Sequence, residues 1–471
     1  MDDYGGTKPP SLEAKNRGPW KDVPEAEWKD WHWQLRNRIT TLEALKMVIQ
    51  LTAEEEEGIR RSPGLFRMAI PPYYASLMDA SDPNCPIRKL AVPSVVEFTD
   101  QKGLERDPLD EDSDSPVPGL THRYPDRALF LTTDMCHMYC RHCTRKRVVG
   151  AKSMSQARDE IDRRLDYIRK TPSIRDVILS GGDPLMLTDA NLQYIVSSLR
   201  HIPHLEIIRL GTRAPVTMPQ RVTPELTRML EDYHPIWVNT HFNHPKEITD
   251  ESAAACDRLL RAGIPVGNQT VLLKGINDCP HIMKRLFQGL LRIRVRPYYL
   301  FQCDPVAGVG HFRTSVSKGM EIMEMLRGHT SGLAIPTYVI DAPGGGGKVP
   351  VMPNYMISQS SKGVIVRNYE GYITMYEEPE DGRGSCPEGC GEEGCKYGGD
   401  GWQSHEGVAK LINGTAESLI PADTDRARRR KKIQKQLLAQ TGKNGNAVSR
   451  KNGNGKSKSK VDMEELKMIT L

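Results

Sequence analysis

The sequence predicts an α/β fold: an open barrel of six β/α units, preceded by a helical N-terminal region and followed by a small C-terminal domain. Three observations carry this. Short β-branched runs alternate with amphipathic stretches six times between residues 128 and 327, a pattern of parallel strands joined by right-handed crossovers. Six units are too few to close an eight-unit barrel. Polar residues also cluster directly after the strand runs, on the rim where a barrel carries its chemistry.

Residues 1–19 are polar and punctuated by Gly and Pro. A helix is expected from Pro24, which suits a first turn, with Trp28, Trp31 and Leu35 on one face. Thr40 with Glu43, and Thr52 with Glu55, read as capping boxes opening two further helices. Residues 1–100 thus form a helical N-terminal domain, its Trp-rich stripe packing against a neighbouring domain or subunit. An acidic connector, Asp107 to Asp114, leads into the barrel, placed at 101–335. Its strands are expected at 128–133, 176–180, 206–210, 235–240, 266–273 and 293–299. Helices are expected at 152–170, 188–200, 222–231, 249–262, 280–291 and 315–327. Region 336–420 opens with a strand, Pro336 to Ile340, and a glycine-rich loop. It continues with a hairpin, 364–367 and 371–376, turning at Glu370-Gly371. The tail, 421–471, reads as disordered or loosely helical.

Charge is unevenly spread. Residues 421–471 hold 14 Lys/Arg and 5 Asp/Glu, leaving 51 basic and 55 acidic residues in the body. An acidic body argues against a dedicated nucleic-acid enzyme. No apolar run approaches membrane-spanning length. The start, Met1 to Gly6, lacks a secretory signal pattern, which predicts a cytoplasmic protein. Ten cysteines in that compartment fit metal binding better than disulfides.

Three of those cysteines, Cys136, Cys140 and Cys143, have C-x3-C-x2-C spacing just beyond the first barrel strand. Zinc and ordinary four-iron sites take four ligands, so a local three is one short. A [4Fe–4S] cluster held here keeps one iron open to an external ligand. The blander readings are unpaired thiols, or part of a zinc site completed from afar. Ser180-Gly181-Gly182-Asp183 follows the second strand; its glycines let backbone approach a ligand, and Asp183 can accept from an ammonium group. Asn239-Thr240-His241 and Gly267-Asn268-Gln269 offer further polar groups, with a packed polar core as their alternative.

Asp341-Ala342-Pro343, four glycines and Lys348 invite a phosphate-loop reading. It fails, because Val349 stands where Ser or Thr is required and Ala342 replaces the leading glycine. A lysine on a glycine loop also suits an imine with pyridoxal phosphate, against the alternative of a plain linker lysine. Arg123 and Arg127, just before the first barrel strand, could grip a phosphate.

Taken together, the run Pro118 to Arg127, the cysteine loop and Asp341 to Lys348 resemble the radical S-adenosylmethionine (radical SAM), pyridoxal-phosphate-dependent aminomutase family. The resemblance spans Trp20 to Asn413 and implies a partial TIM barrel of the radical SAM type. It implies interconversion of L-lysine and L-β-lysine by 2,3-migration of the amino group. Cys136, Cys140 and Cys143 would hold the [4Fe–4S] cluster, with Gly181, Gly182, Asp183, His241 and Gln269 on the S-adenosylmethionine side. Lys348 would carry pyridoxal phosphate, with Arg123 and Arg127 near it. Arg145 would pair with the substrate α-carboxylate, and Asp304 and Asp341 with the ε-ammonium. Phe301 departs from the family, where a tyrosine is common.

The resemblance further implies a zinc site of Cys279 with Cys386, Cys390 and Cys395 of another subunit, in a homodimer or homotetramer. Here the C-terminal triplet is C-x3-C-x4-C rather than the family's C-x-C-x2-C. An external electron donor is also implied. Rival substrates are arginine, whose guanidinium also pairs with carboxylates, and glutamate, which two aspartates repel. A radical SAM enzyme modifying a translation factor would keep the cysteine loop but need a wider entrance.

Overall fold

The computed structural model describes residues 17–64, 66–99, 103–150, 158–360, 363–377 and 428–436. The N-terminal region is a set of short helices: α1 (Glu25–Lys29), α2 (Trp31–Arg36), α3 (Leu42–Lys46), α4 (Ala53–Arg61), α5 (Pro72–Ser76) and α6 (Pro86–Ala91). The single helix expected from Pro24 is divided at Asp30. That residue is extended, and its carboxylate accepts from the N–H groups of His32 and Trp33, capping α2. A local cap thus overrides the helical periodicity. The Thr52/Glu55 capping box forms as expected. The cap of α3 lies one residue beyond expectation, at Thr41, whose hydroxyl accepts from Ala44 N–H.

A nine-stranded sheet follows in simple sequence order. Strand β1 (Leu120–Tyr124) pairs antiparallel with β2 (Arg127–Thr133). Then come α7 (Arg158–Arg169), β3 (Asp176–Gly181), α8 (Asp189–Arg200), β4 (Ile207–Gly211), α9 (Ala214–Thr217) and α10 (Pro224–Glu231). Next are β5 (Ile236–Thr240), α11 (Asp250–Arg261), β6 (Val266–Leu272), α12 (Pro280–Arg292), β7 (Arg296–Gln302), α13 (Val316–Leu326) and β8 (Thr337–Ala342). Strands β2 to β8 are parallel neighbours, so the six expected β/α units are present and a seventh parallel strand extends them. Strand β9 (Gly347–Pro350) turns back antiparallel on β8. With β1 at one edge and β9 at the other, the sheet is an open barrel.

Strand β7 begins three residues later than expected. Residues Ile293 and Arg294 belong to the turn after α12, with Arg294 at φ 59°. Strands β1 and β9 are not anticipated by the sequence pattern: β1 lies in the run Pro118 to Arg127, and β9 begins at the end of the glycine-rich loop. The C-terminal hairpin, β11 (Gly363–Arg367) and β12 (Ile373–Glu377), gains a third strand, β10 (Met356–Ser360).

The core decides which side chains face the barrel interior. On β3, Val177 and Leu179 are fully buried, whereas Ile178 and Ser180 face the cavity described below. On β4, Ile208 and Leu210 are buried while Arg209 and Gly211 face inward. The period of two along each strand therefore sends aliphatic residues out under the helices and a mixed, largely polar set inward. One continuous hydrophobic core runs from Trp28 and Tyr73 in the N-terminal helices through the barrel to Tyr338. No helix among the described residues is long and apolar enough to cross a membrane.

In the basic tail, residues 428–436 are helical. Arg430 pairs with Asp114 through Nε at 2.8 Å and with Asp110 through Nη2 at 2.6 Å. The helix therefore rests on the acidic connector.

Candidate active site

A cavity of about 490 Å³ opens at the C-terminal ends of the barrel strands. Cys136, Cys140, Cys143, Arg123, Arg127, Arg145, Gly181, Gly182, Asp183, His241, Gln269, Asp304, Asp341 and Lys348 all line it. Cys279 does not; it lies partly buried at the start of α12. Cys386, Cys390 and Cys395 lie outside the described residues.

At one end stands the thiol loop. It is gripped from the N-terminal region: Arg38 donates to the Cys136 carbonyl at 2.9 Å, and Tyr139 N–H to the Ala69 carbonyl at 3.2 Å. Arg141, within the loop, donates to Glu97 through Nε at 2.8 Å and Nη2 at 2.6 Å, and to the Phe66 carbonyl at 3.1 Å. Lys146 adds a third bond to Glu97, at 2.9 Å. Burial alone would raise the Glu97 carboxyl; Arg141 and Lys146 more than offset it and hold the group ionised.

Burial, then the Asp183 charge and the other two thiols, raises Cys136; burial and the Cys140 thiol take Cys143 to about 11. Without a cation beside them, these groups are held as neutral thiols. Among the described residues no three His, Cys, Asp or Glu side chains are arranged for a single metal ion. The three thiols line one cavity. His142 Nδ1, buried beside them, has no partner among the described residues.

Ser180 to Asp183 runs beside the thiol loop. A Cβ on Gly182 would lie 2.1 Å from the Met135 carbonyl oxygen, and one on Gly181 2.3 Å from that of Thr133. Gly181 also has φ 128°. Both glycines are thus required by close backbone approach. Asp183 faces the cavity, and its oxygens accept from Leu185 N–H (3.0 Å), Thr212 hydroxyl (2.7 Å) and Arg213 N–H (2.8 Å). Asn268 likewise serves structure, closing the β5–β6 loops through Phe242 N–H and carbonyl. Gln269 beside it faces the cavity. His241 is lowered to about 4 by burial and by Arg213, so it is neutral at neutral pH.

The opposite end is charged. Lys348 and Asp341 are direct cross-strand partners on β9 and β8, and Lys348 Nζ lies 3.2 and 3.4 Å from the two Asp341 oxygens. The turn is set by Gly347 at φ 84° and by Lys348 N–H donating to the Tyr124 hydroxyl at 2.9 Å. Lys348 Nζ is also 5.2 Å from the centroid of the Phe301 ring. Asp304 accepts from the Thr144 hydroxyl at 3.2 Å. Burial, then the Asp341 charge, raises Asp304 to about 7. Arg145 is engaged by Glu111 through three contacts of 2.7 to 3.1 Å. Arg123 donates to Asp114 at 2.9 Å, and the Arg127 guanidinium sits 4.2 Å from the Tyr124 ring centroid.

Sequence reasoning missed Glu111, Thr144, Tyr124 and Arg213 as wall residues. Glu111 lies within the acidic connector, Asp107 to Asp114. Arg213, two residues beyond the end of β4, carries the same after-strand signal that found His241.

An open barrel with three thiols on its C-terminal rim defines the radical SAM class, and residues 130–286 match the Radical SAM superfamily model. Residues 323–449 match the model described as Lysine-2,3-aminomutase. The chain is 57% identical over 410 residues to the L-lysine 2,3-aminomutase of Clostridium subterminale, covering 87% of this chain and 97% of that one. It is 55% identical to that of Acetoanaerobium sticklandii, covering 86% and 97%. A glutamate 2,3-aminomutase of Clostridioides difficile is 49% identical, covering 75% and 84%. The chain belongs to the lysine 2,3-aminomutase family. It is therefore a radical SAM isomerase, and membership implies a [4Fe–4S] cluster and S-adenosylmethionine.

Proposed function

We propose that this enzyme interconverts L-lysine and L-β-lysine, with pyridoxal phosphate carried on Lys348. When bound, the cluster with S-adenosylmethionine supplies a carbon radical able to take an unactivated hydrogen, and pyridoxal phosphate supplies the π-system across which nitrogen migrates. Cys136, Cys140 and Cys143 hold the cluster. The Gly181-Gly182 backbone, His241 and Gln269 form the S-adenosylmethionine side, with Asp183 bracing that wall. Arg123 and Arg127 attract the pyridoxal phosphate, and Arg145 exchanges Glu111 for the substrate α-carboxylate.

The observation that carries the substrate is the Lys348 ammonium held by Asp341, in a cavity wall shared with Asp304. Once that amine is committed to the cofactor, Asp341 loses its cation, and its charge acts on Asp304 in the same cavity wall. An ε-ammonium restores the balance. A glutamate side chain adds a third negative charge, so its affinity for this pocket is low. Arginine satisfies the same charge rule with a larger, planar head.

Zinc at Cys279, Cys386, Cys390 and Cys395 joining subunits of a homo-oligomer completes the proposal, as does a cytoplasmic location with an external electron donor. The test is anaerobic turnover with S-adenosylmethionine, a strong reductant and equal concentrations of L-lysine, L-arginine and L-glutamate. Metal analysis is made on the same preparation. L-lysine is expected to show the highest kcat/KM, with zinc present beyond the iron. Preference for glutamate would overturn the role of the two aspartates.

A further inference from the structure

Arg213 is held by contacts on all sides. Its backbone N–H donates to Asp183 and its Nε donates to the His241 carbonyl at 3.0 Å. Nη2 pairs with Glu247 at 2.5 Å, and Nη1 points at Cys140 Sγ at 2.8 Å. Glu247 is fully buried and is itself fixed by Tyr74 hydroxyl (2.7 Å), Asn243 N–H (2.6 Å) and His244 N–H (3.1 Å). The carboxylate therefore anchors the far side of the guanidinium while one N–H is aimed at the thiol. Cys143, by contrast, is approached by the backbone N–H of Arg145.

We infer that Arg213 is a positioning residue that raises the reduction potential of the cluster through a charge-assisted N–H···S bond to Cys140. One-electron reduction adds a negative charge to the cluster and spreads part of it onto the thiolate sulfurs. A donor carrying positive charge stabilises that reduced form more than the oxidised form, and hydrogen bonds to the sulfurs are among the levers that set such potentials. Low local dielectric inside the barrel strengthens the effect. Glu247 tempers it from a greater distance, and also prevents the guanidinium from turning away. The inference needs the cluster but is independent of the substrate proposed above.

The test uses cluster-loaded enzyme without S-adenosylmethionine, titrated electrochemically with EPR detection of the reduced cluster. Arg213→Gln should make one-electron reduction about tenfold less favourable, a fall of about 59 mV in midpoint. Removing the guanidinium leaves Glu247 buried and unpaired, which by itself endangers folding. Arg213→Gln/Glu247→Gln removes both charges and should shift the midpoint in the same direction by less. A midpoint unchanged in a variant that holds a full cluster overturns the inference. Wild-type enzyme labelled with guanidino-15N arginine gives an independent reading. Pulsed EPR of the reduced cluster should show a 15N coupling that disappears in Arg213→Lys grown with the same label. Absence of that coupling in the wild type equally overturns it.

Discussion

At Asp304, burial and a neighbouring carboxylate work against ionisation, placing its titration at about 7. A proton on Asp304 removes half of the negative charge offered to an ammonium. We expect kcat/KM for L-lysine to fall about tenfold per pH unit below that value, since this parameter reports the free enzyme. Asp304→Asn should abolish that limb of the profile. The linkage runs the other way for stability. With a folded value above the unfolded one, Asp304 stabilises the ligand-free protein at low pH, and that contribution is lost as pH rises through about 7. Asp304→Asn and Asp341→Asn should each cost about 3–5 kcal/mol of substrate recognition, roughly two to four decades in kcat/KM. Iron content should stay normal in both; a fall in iron would mean that the substitutions disturb the whole site rather than its charged end.

At the scale of elements, the loops after β2 and β3 touch backbone to backbone. A methyl on Gly182 meets the Met135 carbonyl at 2.1 Å, and backbone cannot step aside as a flexible side chain can. Gly182→Ala should therefore destabilise the protein by at least about 1–3 kcal/mol and lower cluster occupancy, read by thermal melting and iron analysis. An unchanged melt with full iron would show that the thiol loop tolerates displacement. The need for glycine here was legible, because two glycines directly after a strand imply close approach. Its partner was not, since nothing local indicates that Met135 is the neighbour. The Asp341–Lys348 pair lies at the other extreme. The two lie seven positions apart, and a hairpin suffices to join them.

Across the whole molecule, the N-terminal helices act as the seat of the thiol loop. Glu97, from that region, is buried between Arg141 and Lys146 of the loop. Glu97→Gln leaves two cations without their anion, and about 3–5 kcal/mol of stability should go with it. The native carboxyl is held below its ordinary value of 4.5. Its contribution is thus complete above that value and lost as pH falls through the lower folded one. Urea melts of wild type and variant should differ most near neutral pH and converge in acid. A constant gap would assign the loss to packing instead.

Periodicity and composition determined much of this protein without reference to contacts. The six β/α units, the thiol spacing, the glycines beside it and the lysine at the end of a glycine run are local patterns, and each depends on residues a few positions apart. What joins them depends on register and on loops meeting across the barrel mouth. Glu111 lies 34 residues from Arg145, Glu97 lies 44 from Arg141, and Arg213 lies 73 from Cys140. Pairing at such separations follows from where the strands end, and no spacing rule reaches that far. The sequence alone therefore determined which chemical groups the rim carries. Only the tertiary structure decided which of them face the cavity, which are spent on bracing one another, and which charge each one answers.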